Sequence, residues 1–248
     1  MTETWRLITT WGAEPAFNMG LDEALLFSHE SPPTVRFYSW RPDTLSLGYF
    51  QKLADVPGHD RARKLVRRIT GGGAIHHTNE LTFSISASKD HRLYQGPVAD
   101  SYARVHDAIR AALAELGIAS ELRGDRALAS DVEGTGMCFH HSTPLDIAWA
   151  DKEGAWRKGV GSAQRRSKGR VLHHGSIKLG TSPLEGRIAT LKETVPALDV
   201  HKVADALRSS FERAFEVTLE ATVPVESERV SARELGARYV DPNFVSRR

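Results

Sequence analysis

Residues 67–86 read RRITGGGAIHHTNELTFSIS and place three consecutive glycines between two segments with the composition of β-strands. The glycines are Gly71, Gly72 and Gly73. A plain hairpin turn needs one or two glycines, whereas three leave the backbone bare, so that a ligand can approach it closely. Their spacing matches neither a dinucleotide-binding motif nor a phosphate-binding loop. Two interpretations stay open at this point, a loose turn and a binding loop.

Charged residues flank these glycines in adjacent pairs. Arg67 and Arg68 come before them, and His76 and His77 come after them. Because successive strand residues point to opposite faces, we expect at most one member of each pair to face a ligand. The other arginine is expected to be a solvated or paired surface residue.

The composition narrows the class of function. The 248 residues are 40% hydrophobic and 26% charged with a net charge of +2, so bulk charge gives no argument for nucleic-acid binding. No apolar run is long enough to span a membrane, and the N-terminus lacks the pattern of a secretory signal. We therefore expect a cytoplasmic protein without a membrane partner. We also expect a monomer, because no apolar stripe is left over after the helices are assigned.

Helix and strand patterns cluster without regular alternation, which favours an α+β fold with mixed, mainly antiparallel sheets flanked by helices. Strand composition predicts a hairpin of TVRFYSW and TLSLGYF around the turn RPD, strands on both sides of the glycines, and a second group of strands over 144–180 with a tight turn at RSKGR. Helical spacing predicts helices over about 18–29, 98–117, 201–217 and 231–240. We expect one catalytic domain over 1–248, with its core over about 14–220 and a short helical tail over 225–248.

The single cysteine is the next candidate for chemistry. Cys138 is either a small buried hydrophobe or a nucleophile, and a nucleophile would need a neighbouring cation or base. Lys158 is a candidate partner because small residues follow it, as they do at a site of close approach. Further candidates are His140, His141 and His174. Six of the eleven histidines form three adjacent pairs whose side chains alternate in direction, and no zinc-binding motif is present, so we expect no metal site.

Several separated motifs resemble the lipoate/octanoate attachment family, whose fold is shared with biotin protein ligases. RRITGGGAIHH resembles its lipoyl-binding loop, and RKGVGSAQRRSKGRVLHHGSI resembles its lysine motif and the strand that follows. FNMGLDEALL and RFYSWRPDTLSLGYFQ are similar to its opening helix and first hairpin. The resemblance runs from about residue 14 to residue 180.

The resemblance implies a cysteine-dependent octanoyltransferase, since ELTFS is similar to the transferases' E-L-T-Y-S and Cys138 lies where they carry their cysteine. Octanoyl-acyl carrier protein is then the donor. The acceptor is a lysine in a lipoyl domain of a 2-oxoacid dehydrogenase or in the glycine cleavage H protein. No cofactor is expected. ATP and Mg²⁺ enter only in the first alternative, a lipoate–protein ligase; a lipoyl amidotransferase and a silent binding module are further alternatives.

The same resemblance assigns the site. Cys138 and Lys158 are expected to be catalytic, with Lys158 stabilising the thiolate and the oxyanion. His174 or His77 is expected to act as the base for the attacking amine. The basic turn over 165–170 is either a solvated tip or a dock for acidic carrier domains. The expected substrate-binding residues are Arg68, Gly71, Gly72, Gly73, His77, Gly161, Ser162, Ala163 and His174.

Overall fold

The computed structural model describes residues 2–28 and 31–247, with eleven strands and six α-helices. The strands are β1 (Glu3–Ala13), β2 (Thr34–Trp40), β3 (Thr44–Leu47), β4 (Lys64–Arg67), β5 (Ile75–His77), β6 (Glu80–Ser88), β7 (Glu121–Leu122), β8 (Ile147–Ala150), β9 (Trp156–Ser167), β10 (Arg170–Lys178) and β11 (Val217–Thr222). The helices are α1 (Pro15–Phe27), α2 (Val98–Glu115), α3 (Leu191–Thr194), α4 (Val200–Phe215), α5 (Glu226–Val240) and α6 (Pro242–Val245).

Eight of the strands form one sheet in the order β11-β1-β2-β6-β10-β9-β8-β7. Only β1 pairs in parallel within this sheet, with β11 and with β2, and the other pairs are antiparallel. A small sheet has the order β4-β3-β5. The expected α+β fold with mainly antiparallel sheets is confirmed.

The large sheet is covered on both faces. Helices α2 and α4 bury their apolar residues against one face in the main hydrophobic core. Helices α1 and α5 and strand β4 of the small sheet pack on the other face. The α1–α5 crossing is close, because a Cβ at Gly20 would lie 2.0 Å from the carbonyl oxygen of Ala232. The space between this layer and the sheet holds the site described below.

The helix expectations hold with shifted boundaries. Helix α1 begins at Pro15, three residues before the prediction, because a proline is well placed in the first helical turn. The predicted end of this helix, His29, lies outside the described residues, as does Arg248 at the end of the predicted tail. Helix α2 ends before Gly117, which has a positive φ of 84° as expected of a helix terminator. Helix α5 begins five residues before the prediction, at Glu226.

The predicted hairpin of residues 34–50 is wrong. Strand β2 pairs with β1 and β6 in the large sheet, whereas β3 pairs with β4 and β5 in the small one. Asp43, with a positive φ of 66°, lies in the turn that redirects the chain from one sheet to the other. Turn residues reveal that the chain changes direction, but they do not reveal which strand it pairs with afterwards.

The second group of strands is confirmed. Strands β9 and β10 form a hairpin whose two turn residues, Lys168 and Gly169, both have positive φ. Strand β10 also pairs with β6, which carries the hairpin into the centre of the large sheet. Within residues 2–28 and 31–247, no helix is long and apolar enough to cross a membrane. The division into a core and a tail stays a prediction.

Candidate functional site

One row of residues across four strands forms the floor of a pocket. Tyr38, Thr82, Ser176 and Gly161 are consecutive partners on β2, β6, β10 and β9. Neighbouring strands lie about 4.8 Å apart, so the row spans about 14 Å. The pocket runs over this row and is lined by Met19, Tyr38, Trp40, Ser46, Arg68, Gly71, Gly72, Ile75, His77, Thr82, Cys138, Gly161, Ser162, Ala163, His174, Gly175 and Ser176. All the expected site residues except Gly73 and Lys158 are in this set.

The glycine loop forms part of the pocket wall because its backbone touches other backbone segments. A Cβ at Gly48 would lie 1.8 Å from the carbonyl oxygen of Gly72, and a Cβ at Gly73 would lie 2.8 Å from the backbone nitrogen of Cys138. Ala74 and Cys138 also exchange a backbone hydrogen bond, from the Cys138 N–H to the Ala74 carbonyl at 2.7 Å. The glycines therefore allow the loop to lie directly against the cysteine.

Arg68 fixes the shape of this loop from inside. Its guanidinium donates to the carbonyl oxygens of Gly71 and Gly73 at 2.7 and 2.8 Å, and to that of Ser46 at 3.1 Å. The side chain is buried, and burial lowers the pKa of Arg68 from its ordinary value. Arg68 thus contacts the pocket, but its guanidinium is engaged in hydrogen bonds that hold the loop.

The expectation that the other arginine is a surface residue is wrong. Arg67 is fully buried, and its guanidinium donates to backbone carbonyls of Val245, Gly48 and Gln51. Helix α6 packs against β4 and covers this side chain. Strand alternation gives the direction of the side chain correctly, but it does not reveal that a distant segment covers that face.

His76 and His77 point in opposite directions, as expected. His77 lines the pocket, stacks on Trp40 at 4.0 Å between ring centroids, and bonds Ser46 Oγ at 2.8 Å and Glu80 with its two ring nitrogens. His76 points away, to Asp43 at 3.0 Å. Burial lowers the pKa of His77 to about 4 in spite of the attraction of Glu80, so the ring is neutral at neutral pH.

Cys138 and Lys158 meet at one end of the pocket. Lys158 Nζ lies 3.7 Å from Cys138 Sγ, and it donates to the carbonyl oxygens of Cys138 and His141 at 2.9 and 3.0 Å. Its ion-pair partner is Asp146, with 2.9 Å between Nζ and Oδ2. Burial alone would lower the pKa of Lys158, but the nearby Cys138 and Asp146 outweigh burial and raise it. Lys158 is therefore an ammonium donor and not a proton acceptor.

Strand β9 brings small residues to this end of the pocket. A Cβ at Gly161 would lie 2.9 Å from Lys158 Cε and 3.3 Å from Cys138 Sγ, so a larger residue would separate the pair from the pocket. Ser162 and Ala163 follow in the lining. The hydroxyl of Ser162 lies between two ring nitrogens, Nε2 of His106 at 2.7 Å and Nε2 of His173 at 3.0 Å.

His174 lines the pocket from β10, with both ring nitrogens engaged. Nε2 lies 2.6 Å from Thr70 Oγ1, and Nδ1 lies 3.2 Å from Asp22 Oδ2. Burial would raise the pKa of Asp22, but Arg36 and His174 lower it, so the carboxylate stays ionised. This network anchors the start of the glycine loop to α1 and β10.

Sequence reasoning missed three residues of the site: Asp22, His106 and Asp146. The pattern of FNMGLDEALL, which contains Asp22, predicts only a helix. His106 likewise lies in a segment whose pattern predicts only helix α2. Asp146 could have been found from the sequence, because it lies at the acidic end of the cysteine motif that starts CFHH. Among the described residues, no cluster of three or more histidine, cysteine or acidic side chains could hold a metal ion.

Comparison with known proteins places this geometry in a family. The family model for the lipoyl protein ligase A/B catalytic domain matches residues 14–185. The octanoyltransferase LipM of Moorella thermoacetica is 44% identical over 184 residues, which are 71% of this chain and 66% of that protein. The octanoyltransferase LipM of Kyrpidia tusciae is 35% identical over 256 residues, which are 95% of this chain and 89% of that protein.

Solved structures agree at the level of the fold. A putative lipoate protein ligase of T. acidophilum with bound lipoic acid superposes with a TM-score of 0.77 at 23% identity, and the match covers 100% of both chains. A lipoate-protein ligase A bound with ATP gives a TM-score of 0.77 at 23% identity and covers 99% of both chains. With the family model matched from residue 14 to residue 185, this chain belongs to the lipoyl protein ligase A/B catalytic domain family.

Proposed function

We propose that this protein is an octanoyltransferase of protein lipoylation, which moves an octanoyl group from acyl carrier protein through Cys138 to a lysine of a lipoyl domain. The observation that carries the proposal is the pairing of Cys138 Sγ with the Lys158 ammonium, 3.7 Å apart, at one end of a largely apolar pocket. The similarity to proteins named octanoyltransferase LipM supports it. The acceptors are lipoyl domains of 2-oxoacid dehydrogenases or the glycine cleavage H protein.

The pocket suits an acyl chain. Burial of each methylene is worth about 0.8 kcal/mol, and the row from Gly161 to Tyr38, about 14 Å in length, is long enough to hold an extended eight-carbon chain. The carbonyl carbon then lies at Cys138, and the terminal methyl lies towards β2. The polar side chains of the lining, such as His77, are already bonded to protein partners, so they cost the chain little.

In the first step, the Cys138 thiolate attacks the thioester carbonyl of the donor. The negative charge that develops on the oxygen needs donors. Lys158 supplies its positive charge, and the backbone N–H groups of Gly72 and Gly73 can serve as donors, since neither donates a hydrogen bond within the described part of the chain. The donor's thiol leaves, and an octanoyl thioester on Cys138 remains.

In the second step, the acceptor lysine attacks this thioester as a free amine, so a base must take a proton. His77 and His174 are poorly suited, because both nitrogens of each ring already have partners. Lys158 is held as an ammonium. We assign the base to His141, whose exposed ring has no hydrogen-bond partner in the described ranges and whose carbonyl accepts from Lys158.

The proposal includes a cytoplasmic location, because a reactive thiol needs a reducing compartment. The rival functions differ in the source of the acyl group. A lipoate–protein ligase would need ATP and would tolerate loss of Cys138. A lipoyl amidotransferase would use Cys138 but would take its lipoyl group from another lipoylated protein.

Intact mass spectrometry with octanoyl-acyl carrier protein and no ATP tests the proposal. We expect an octanoyl adduct on the wild-type protein, no adduct on Cys138→Ser, and transfer of the adduct to an added lipoyl domain. Lys152→Met, at an exposed site outside the basic turn, is the control that should acylate normally. Modification of the lipoyl domain only in the presence of lipoate and ATP would instead establish the ligase.

A further inference from the structure

A second cavity lies on the outer side of the glycine loop, and the acyl pocket does not use it. This outer groove has a volume of about 850 Å³ and is open to solvent. It shares Gly72 with the acyl pocket, and it is lined by Phe50, Gln51, Asp55, Gly72, Gly73, Arg123, Asp131, Val132, Glu133, Gly134, Thr135, Gly136, Met137, His140, His141 and Ser142. Cys138 therefore lies at the junction of the two cavities, since Met137 before it and His140 and His141 after it line the groove.

The two cavities that meet at Cys138 match the two parts of a thioester, its acyl chain and its thiol part. Cys138 Sγ faces Gly161 and the acyl pocket, whereas Met137 and His141 line the outer groove. When the octanoyl chain occupies the pocket with its carbonyl at Cys138, the second substituent of that carbonyl must extend away from the pocket. The groove is the cavity that begins at this point.

The charge of the groove argues against a nucleotide. Three carboxylates line it, Asp55, Asp131 and Glu133, and one arginine, Arg123, opposes them. This excess of negative charge repels a triphosphate. A neutral chain of amides and hydroxyls meets no such repulsion.

The groove also offers an unpaired polar side chain at its wall. His141 is exposed, and its ring has no hydrogen-bond partner within residues 2–28 and 31–247. The loop around Gly136 is held rigidly, because Gln51 Nε2 donates to its carbonyl at 2.6 Å and a Cβ on Gly136 would lie 2.2 Å from the Asp55 carbonyl oxygen. Such a wall can bind a thin chain that carries amide carbonyls.

We propose that the outer groove binds the pantetheine arm of the donor thioester, an inference that rests on the proposed function. In the step that it serves, a bond forms between Cys138 Sγ and the acyl carbon. The bond from that carbon to the pantetheine sulfur breaks, and the arm leaves with the electron pair as a thiolate that takes up a proton from solvent.

A series of octanoyl thioesters tests this assignment by the rate at which they acylate Cys138. The series consists of pantetheine, N-acetylcysteamine and 2-mercaptoethanol thioesters, which carry two, one and no amide groups of the arm. We expect the rate at low concentration to fall at least about tenfold from the first to the last. Val132→Trp and Ser142→Trp, which fill the groove, should remove the preference for pantetheine and leave the mercaptoethanol rate within about twofold.

Val98→Trp is a matched control, because Val98 and Val132 are 49% and 50% exposed and Val98 lies outside the groove. The assignment would be overturned if the groove variants lowered the acylation rate equally for all three thioesters. It would also be overturned if the wild type showed no preference for the pantetheine thioester. In both cases the acylation of Cys138 itself would stand. Saturable ATP binding that Val132→Trp abolishes would also overturn it, in favour of a nucleotide groove. If octanoyl-acyl carrier protein also fails to acylate wild-type Cys138, the proposed function fails instead.

Discussion

Lys158 has more acceptors around it than N–H groups to give. Three oxygens lie within 3.0 Å of its Nζ, those of Cys138, His141 and Asp146, and Cys138 Sγ lies at 3.7 Å. The oxygens hold the ammonium in place, and its charge acts on the sulfur. The carboxylate of Asp146 keeps the group protonated, which leaves Lys158 as a fixed cation throughout the reaction.

Replacement of Lys158 by Met should therefore slow the alkylation of Cys138 by iodoacetamide at pH 7, on the order of tenfold, because the thiolate loses its neighbouring cation. Rates of alkylation followed by intact mass would measure this. Lys152→Met, at an exposed site, provides the control. Equal rates for the wild type and Lys158→Met would show that the cation does not act on the thiol.

Replacement of His141 by Gln should separate the two half-reactions. Acylation of Cys138 does not need this ring and should stay within about twofold, whereas transfer to the acceptor lysine should slow about 100-fold if the ring is the base. Single-turnover mass spectrometry of each step gives the two rates. His201→Gln, on the exposed face of α4, should change neither rate. A uniform loss in both steps would argue against His141 as the base.

Individual site residues were predictable to the extent that a motif marks them. Cys138, Lys158 and the glycines came from motifs, and the structure brings them together. Asp22, His106 and Asp146 could not be found in this way, because a buried polar residue acquires its partners only in the folded chain. The sequence also could not reveal that the ring nitrogens of His77 and His174 are already engaged.

At the scale of the elements, the acyl pocket depends on the register of four strands. Because β2, β6, β10 and β9 are aligned, residues far apart in the sequence form one straight row. The end at β2 is rigid, since Trp40 stacks on His77 and donates from Nε1 to Thr82 Oγ1 at 2.8 Å. The register thus sets the length of the row, and we infer that Trp40, which lines the pocket, closes it at this end.

Replacement of Trp40 by Leu should lengthen the pocket and shift the preference towards longer chains. Each additional buried methylene is worth about 0.8 kcal/mol, or roughly fourfold in relative rate, so decanoyl and dodecanoyl thioesters should gain relative to octanoyl. Competition between chain lengths for Cys138 measures the ratio, which does not depend on the fraction of folded protein. Trp5→Leu, a fully buried tryptophan outside the pocket, is the control. An unchanged ratio in Trp40→Leu would place the end of the pocket elsewhere.

The elements themselves were predicted better than their partners. The patterns of α1, α2, α4 and the β9–β10 hairpin are local, and these elements are found where they were expected. The predicted hairpin of residues 34–50 failed, because strand pairing between two sheets depends on distant segments such as β6.

At the scale of the whole molecule, three neutral histidines are buried in or beside the large sheet. Burial lowers the pKa of His77, to about 4, and those of His106 and His173, in the last case well below the ordinary value. The unfolded chain binds protons at these rings near pH 6.5, and the folded protein does not. Their contribution to stability is thus complete above pH 6.5 and is lost as the pH falls towards the folded pKa.

We therefore expect the free energy of unfolding to fall between pH 6.5 and 5, by up to about 2 kcal/mol for His77 alone. Denaturant titrations across this range would measure the loss. His77→Gln should be less stable at pH 7 but should show a smaller loss between pH 6.5 and 5 than the wild type. His201→Gln, which removes an exposed ring, should leave the pH dependence unchanged. A flat profile for the wild type would contradict the expectation.

The single cysteine has one further consequence, for the response of the protein to oxidants. Cys138 is partly exposed and stands beside a cation, which favours reaction with peroxide to give a sulfenic acid. Because the chain has no second cysteine, it cannot trap this product as an internal disulfide. Recovery then depends on small thiols from outside, so that the supply of reduced thiols around the protein would set the rate of lipoyl-domain acylation under oxidative stress.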